Sequence, residues 1–320
     1  MKSDWTAADI PPQAGKRAVV TGTGGLGYET ALELARAGAA VVIAGRSRAK
    51  GEAALARIAA ASPSAAVSFG MLDLADLASV EAFASGFRAE HSQLDILVNN
   101  AGVMALPARA TTTDGFERQL GVNFLGHFAL TAHLLPALRA SASPRVVSLS
   151  SLAHRRGRID FDDLHGERRY GPWKAYSQSK LAMLIFAIEL ERRSEAGGWG
   201  LTSIAAHPGW AATELIANGP AGGGGLSAGL GHAARLLGPL LSQSPAAGAL
   251  PTLFAATAPD AEAGGYYGPG GFREIRGSPA PSRMIDEAGD PAVAARLWDE
   301  ALRLTGANFP VRPQASIGDG

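Results

Sequence analysis

Arg17-Ala-Val-Val-Thr21-Gly22-Thr23-Gly24-Gly25-Leu26-Gly27 decides the fold. The first five residues are a short β-branched run, and the glycines follow without a break. Tyr28 to Ala37 then reads as a helix, with Gly38 as its stop. Strand, glycine turn and helix in succession give a G-x-G-x-x-G match its meaning. Glycine lets the backbone turn tightly and approach a pyrophosphate, which rests on a helix N-terminus where free N–H groups and the dipole favour anions. The candidate cofactor contacts in this turn are Gly22, Gly24, Gly25, Leu26 and Gly27.

Working outward, Ala40-Val-Val-Ile-Ala44 is a second strand, apolar throughout as a strand covered on both faces should be. Gly45-Arg46-Ser-Arg48-Ala-Lys50 follows, and no acid occurs until Glu52. A site for NAD places a carboxylate there for the ribose hydroxyl, whereas an arginine accommodates a 2′-phosphate. NADP(H) is therefore favoured over NAD(H), with Arg46 as the main contact and Arg48 and Lys50 secondary. Ala49 to Ala61 is a helix, Val67 to Met71 a third strand running to Asp73-Leu74, and Asp76 to Glu90 a third helix. Leu94 to Val98 is a fourth strand ending in Asn99-Asn100-Ala101-Gly102. Thr112 to Leu138 reads as one long helical region, with Asn123 among apolar neighbours. Arg145 to Ser150 is a fifth strand, ending at Ser151. Leu201 to Ala206 is a sixth, followed by His207-Pro208-Gly209 and Thr213. Alternation at this spacing predicts a doubly wound parallel sheet, a three-layer α/β/α Rossmann fold, with ligands beyond the strand C-terminal ends.

A second stretch carries chemistry. Trp173-Lys-Ala-Tyr176-Ser-Gln-Ser-Lys180 runs into Leu-Ala-Met-Leu-Ile-Phe-Ala-Ile188, a buried helix by its apolar run. Residues four apart share a helix face, so the phenol and the ammonium are neighbours. A phenol titrates near ~10 and needs a shift of roughly 2 to 3 units to work near neutrality. One lysine charge ~4 to 5 Å away, at an effective dielectric of ~20, is predicted to supply about that much.

Bulk properties narrow the classes. The chain has 320 residues, 47% hydrophobic and 18% charged, with a formal net charge of +0, which suits a globular protein and gives no reason to expect nucleic acid or an anionic surface as partner. Arg155-Arg156 and Arg168-Arg169 read as solvated loop charges. There is no cysteine, which excludes disulfides and thiolate chemistry and fits a reducing cytoplasm. The seven histidines show no metal spacing, so no metal is expected. No apolar run approaches the ~18 residues of a membrane span, and the N-terminus lacks the apolar core of a secretory signal. A soluble, cytoplasmic protein is the expectation.

Residues 1–15 read as an N-terminal arm, 16–310 as a single domain and 311–320 as a tail. Within the domain, the glycine cluster at 219–225 and an amphipathic stripe through Leu230, Ala233, Leu236 and Leu237 suggest a substrate lid around 214–245. Pro251 is expected to bend or break the helix from Pro245 to Ala258. Tyr266-Tyr267-Gly-Pro269 supplies the last strand, and Pro291 to Leu304 a closing helix.

Taken in order, the glycine turn at 21–27, Asp73-Leu74, Asn99-Asn-Ala-Gly102, Asn123, Ser151, Tyr176-x-x-x-Lys180 and Pro208-Gly209-x-x-x-Thr213 resemble the short-chain dehydrogenase/reductase family over residues 16 to 215. The long insert between Ser151 and Tyr176, with Ala153-His154, resembles its retinol-dehydrogenase-like branch. The resemblance implies Tyr176 as general acid and base, Lys180 as the group that lowers its pKa and holds the nicotinamide ribose, Ser151 as the residue polarising the carbonyl, and Asn123 as support for a relay water. It further implies cofactor contacts from Asp73, Leu74, Asn100, Ala101, Gly102, Pro208, Gly209 and Thr213. One departure stands out: Thr21-Gly-Thr-Gly-Gly-Leu-Gly27 is one residue shorter than the family's usual turn.

The function expected is NADP(H)-dependent hydride transfer to and from a small-molecule carbonyl or alcohol, a hydrophobic one given Trp210, Leu215, Ile216 and Leu226. Alternatives are reduction of a conjugated C=C bond by the same pair, or a nucleotide-binding scaffold without turnover. A methyltransferase would want an acid where Arg46 stands. Either a monomer or a homo-oligomer is compatible with these residues.

Overall fold

In the computed structural model, which describes residues 4–210 and 243–310, the strands appear in the order the sequence implies. They are β1 (Arg17–Thr21), β2 (Ala40–Gly45), β3 (Val67–Met71), β4 (Ile96–Asn99), β5 (Arg145–Leu149), β6 (Thr202–Ala206), β7 (Tyr266–Pro269) and β8 (Pro279–Pro281). Among the described residues they form one sheet in the order β3-β2-β1-β4-β5-β6-β7-β8. The first seven are parallel and β8 is antiparallel to β7. The three-layer doubly wound fold is thus as expected; the antiparallel edge strand was not, since Pro279-Ala-Pro281 carries a proline pair suited only to an edge.

Side-chain alternation builds the layers. Val19, Val42, Leu97, Val146 and Ala205 face one core. Their neighbours Ala18, Val20, Val41, Ile43, Val98, Val147 and Ile204 face the other. The first core is covered by α3 (Leu77–Glu90), α5 (Gly126–Arg139), α6 (Pro172–Gly197) and α8 (Pro291–Thr305); the second by α1 (Gly25–Arg36), α2 (Arg48–Ala61) and α7 (Pro245–Thr257).

Two local expectations are corrected, and a third is filled in. The region from Thr112 is not one helix. Thr111 bridges Glu117, Gly115 turns at a φ of +86°, and helix begins only at α4 (Arg118–Leu120). A π turn (Gly121–Leu125) then leads into α5. The α7 helix runs unbroken through Pro251, which lies on its buried side. Finally, the N-terminal arm is packed: Trp5 is buried edge-on against Phe254, with ring centroids 5.5 Å apart. The lid stripe and the tail lie outside the described residues.

Candidate active site

Because seven strands run the same way, their C-terminal ends share one edge of the sheet. Gly22, Arg46, Asp73, Asn100 to Gly102, Ser151 and Pro208-Gly209 all follow those ends. The strand order reverses between β1 and β4, where such folds hold a dinucleotide.

The shortened glycine turn still joins strand to helix in one tight step. Gly22 and Gly25 take left-handed φ of +98° and +50°. A Cβ on Gly27 would lie 2.3 Å from the Gly22 carbonyl oxygen and 2.7 Å from Asn100 Nδ2, so this contact admits glycine alone. The α1 helix starts at Gly25 with Gly24 as its N-cap, and no side chain caps its first turn. Those N–H groups, at the end where the dipole is positive, fit a pyrophosphate. Asn100 ties β4 to the turn, donating from Nδ2 to the Thr21 carbonyl at 2.7 Å. Arg46 is exposed just past β2. Asp73 caps its own turn, its Oδ1 accepting from the Ala75 N–H at 2.9 Å, and Leu74 is buried beneath it. Thr213 lies outside the described residues.

On the other side of the edge, α6 begins at Pro172 and carries Tyr176 and Lys180, both buried. Ser151 follows β5; its Oγ accepts from the Ala153 N–H at 3.2 Å, and the hydroxyl lies near enough to Tyr176 to draw the phenol's pKa down. Asn123 is a bolt between elements. Its Oδ1 accepts from the Val103 N–H at 2.8 Å, and its Nδ2 donates to the Val103 carbonyl at 3.0 Å and to Ser179 Oγ at 2.9 Å. Ser179 sits on α6 between the phenol and the ammonium.

Electrostatics correct one expectation. Lys180 Nζ lies 6.0 Å from the centre of the Tyr176 ring and donates to the Leu149 carbonyl at 3.0 Å. Burial raises the Tyr176 pKa, and the group that pulls it back is Ser151, not the lysine. Burial likewise lowers Lys180, to about 8. A buried phenol with a hydroxyl and a buried amine beside it can exchange a proton with an oxygen placed before it. Trp173 meets Tyr176 edge-on at 6.0 Å and is 55% exposed, an apolar wall at the mouth.

Several residues escaped the sequence reading. His127 is fully buried, its Nδ1 2.9 Å from the Asn123 carbonyl and its Nε2 2.9 Å from Thr21 Oγ1. Its signal was the i,i+4 spacing from Asn123 on one helix. Arg155, expected in solvent, pairs with Glu274 at 2.6 Å. Among the described residues no cluster of side chains could hold a metal ion, and no helix is long and apolar enough to cross a membrane.

The family model for short chain dehydrogenase matches residues 16–221. The chain is 46% identical to a polyprenol dehydrogenase of Mus musculus over 96% of its own length and 89% of that protein's. It is 45% identical to retinol dehydrogenase 13 of Homo sapiens, over 98% of this chain and 93% of that one. Among solved structures, an uncharacterized protein from Mycobacterium Paratuberculosis superposes with a TM-score of 0.78 at 42% identity, covering 96% of this chain and 100% of that one.

Proposed function

The chain belongs to the short-chain dehydrogenase family, in its retinol-dehydrogenase-like branch, and on that premise we propose that it is an NADP(H)-dependent oxidoreductase. Its reaction moves hydride to or from the carbonyl or alcohol carbon of an apolar small molecule, with Tyr176 as general acid and base. The bound nicotinamide would supply or accept that hydride, as it does throughout such enzymes. What this chain adds is the proton and its control.

The observation that carries the reading is that Ser151, just past the end of β5, lies near enough to the buried Tyr176 to lower the phenol's pKa against the effect of burial. Ser151 Oγ already accepts from the Ala153 N–H, so its own hydrogen is free to be donated. Directed at the phenol oxygen, that hydrogen stabilises a phenolate; directed at a substrate oxygen, it stabilises developing alkoxide charge. In reduction Tyr176 gives its proton to that oxygen, and in oxidation it takes the proton back. Lys180, mostly charged at neutral pH, stands 6.0 Å from the centre of the Tyr176 ring, where its ammonium would hold the nicotinamide ribose. The uncapped N-terminus of α1 and the Gly22–Gly27 contact are suited to the pyrophosphate. Arg46, with no acid near it on the same turn, supports a 2′-phosphate and hence NADP(H). The exposed face of Trp173 beside the phenol supports an apolar substrate.

The test is NADPH oxidation against a panel of aliphatic, isoprenoid and aromatic carbonyls, with Tyr176→Phe as control. Turnover that survives in Tyr176→Phe, or none with any carbonyl, would overturn the reading.

A further inference from the structure

Behind Ser151 the chain closes a second polar cluster that the reaction above does not use. His154, fully buried, stands three residues beyond Ser151 in a 3-10 turn (Leu152–Arg156). The Ser151 carbonyl receives two hydrogen bonds from it, one from the backbone N–H at 3.0 Å and one from Nδ1 at 2.7 Å. A carbonyl oxygen can only accept, so Nδ1 carries the ring proton. Burial holds this imidazole below its usual range, so the ring is neutral and Nε2 keeps a bare lone pair. That nitrogen is buried without a hydrogen-bond partner among the described residues. Leaving a buried acceptor unmatched is costly. The ring is therefore held in an orientation that gives up Nε2 in order to keep Nδ1 on Ser151.

The surroundings enforce that orientation. Tyr266 stands edge-on to the ring at 5.4 Å, with its hydroxyl 3.3 Å from Nδ1. The next residue, Arg155, is fastened to Glu274 Oε2 at 2.6 Å. The same carboxylate meets His207 Nε2 at 3.1 Å and takes a short hydrogen bond from Ser282. Arg273 and Glu274 both adopt left-handed backbone, with φ of +51° and +58°. Neither side chain favours that region, and such backbone persists only where its surroundings over-determine it. The far end of the turn after Ser151 is thus tied to a hairpin held out of its preferred conformation.

We propose that His154 is a positioning residue for Ser151: its Nδ1–H, clamped on the Ser151 carbonyl, fixes the turn so that the Ser151 hydroxyl faces Tyr176. The Arg155–Glu274 pair anchors the same turn from its other end. This rests on the reading of Tyr176 and Ser151 given above.

Three substitutions separate a positioning role from simple packing. His154→Asn keeps an N–H where Nδ1 stands, His154→Gln moves the amide to the place of Nε2, and His154→Leu offers neither. The readout is the ultraviolet difference titration of the Tyr176 phenol. Each variant is referenced to its own Tyr176→Phe counterpart, because the chain holds five tyrosines. Lys180 on the phenol's own helix, and Arg155, His207, Tyr266 and Glu274 around the imidazole, are common to all variants. Differences therefore report on Ser151. The midpoint of His154→Asn should match the parent, while those of His154→Gln and His154→Leu rise by roughly one pH unit. The same two should lose about tenfold in kcat with the KM for NADPH unchanged. Equal midpoints in all four proteins, or asparagine no better than glutamine, would overturn the proposal. If the leucine variant does not fold, the asparagine–glutamine pair decides. The titration needs no turnover, so an inactive parent would sink the oxidoreductase reading and leave this one still decided.

Discussion

Thr21, the last residue of β1, and His127, on the first turn of α5, meet at 2.9 Å between Oγ1 and Nε2 in the middle of the molecule. His127 Nδ1 faces the Asn123 carbonyl, so it carries the proton and Nε2 accepts from the threonine hydroxyl. Thr21 Oγ1 in turn accepts from the N–H groups of Asn100 and Ala101, each at 2.9 Å. One neutral imidazole thereby couples the end of the first strand, the Asn100–Gly102 loop and the helix of Asn123.

That imidazole makes a pH-dependent contribution to stability. Burial lowers its pKa from 6.5 to about 4. Between those values the unfolded state binds a proton that the folded state refuses, so stability falls as pH drops through that window. Replacement by glutamine should remove this part of the slope, worth roughly 3 kcal/mol between pH 7 and 4. Urea midpoints of parent and His127→Gln across that range give the measurement. Parallel curves would show that the histidine does not stay neutral in the fold.

Arg46 sets a prediction about cofactor choice. Removing a guanidinium that meets a phosphate costs about 1.5 to 3 kcal/mol. The KM for NADPH in Arg46→Ala should therefore rise about ten- to a hundredfold while that for NADH barely moves. Steady-state kinetics with both cofactors test it, and an equal loss for the two would place the 2′-phosphate elsewhere.

The short glycine turn predicts two outcomes. Gly27→Ala puts a methyl 2.3 Å from a backbone oxygen, which cannot yield as a flexible side chain would. Opening the turn to admit it should weaken NADPH binding by about tenfold or more, measured by fluorescence titration. Inserting an alanine after Gly22, to restore the longer spacing, should not tighten binding. A gain in affinity would mean that the contracted turn is a handicap.

Much of this was legible in the sequence because it depends on local pattern. The order of strands and helices follows from apolar runs and glycine stops, and Tyr176 and Lys180 announce each other through i,i+4 spacing. What could not be read depends on distant chain segments. Whether Lys180 or Ser151 controls the phenol depends on where β5 ends relative to α6, which no local pattern fixes. Arg155 reads as a surface charge until a hairpin more than a hundred residues later brings Glu274 to it. The π turn before α5 is likewise invisible, since Gly121 to Leu125 satisfies an ordinary helix equally well.

Lys180 gives the last prediction, in which stability and activity move in opposite directions. Its ammonium is buried, and burial alone lowers its pKa from 10.5 to about 8. Below pH 8 the folded protein carries the full cost of that buried charge. Between 8 and 10.5 the unfolded state holds the proton and the folded state does not, so stability rises with pH across that interval. Lys180→Met removes the cost, worth roughly 3 kcal/mol at neutral pH. It also leaves the Leu149 carbonyl without the ammonium that now meets it, which returns about 1 to 3 kcal/mol. The variant should therefore equal or exceed the parent in melting temperature at pH 7 and lose ground to it as the pH approaches 10. Its turnover should fall about a hundredfold or more, since on the proposed reading the ammonium holds the nicotinamide ribose in line with Tyr176. Melting curves at pH 7 and 10 beside NADPH kinetics decide the matter. A variant equally destabilised at both pH values would mean that the lysine is no charged burden in the fold, and its placement behind Tyr176 would then call for a different explanation.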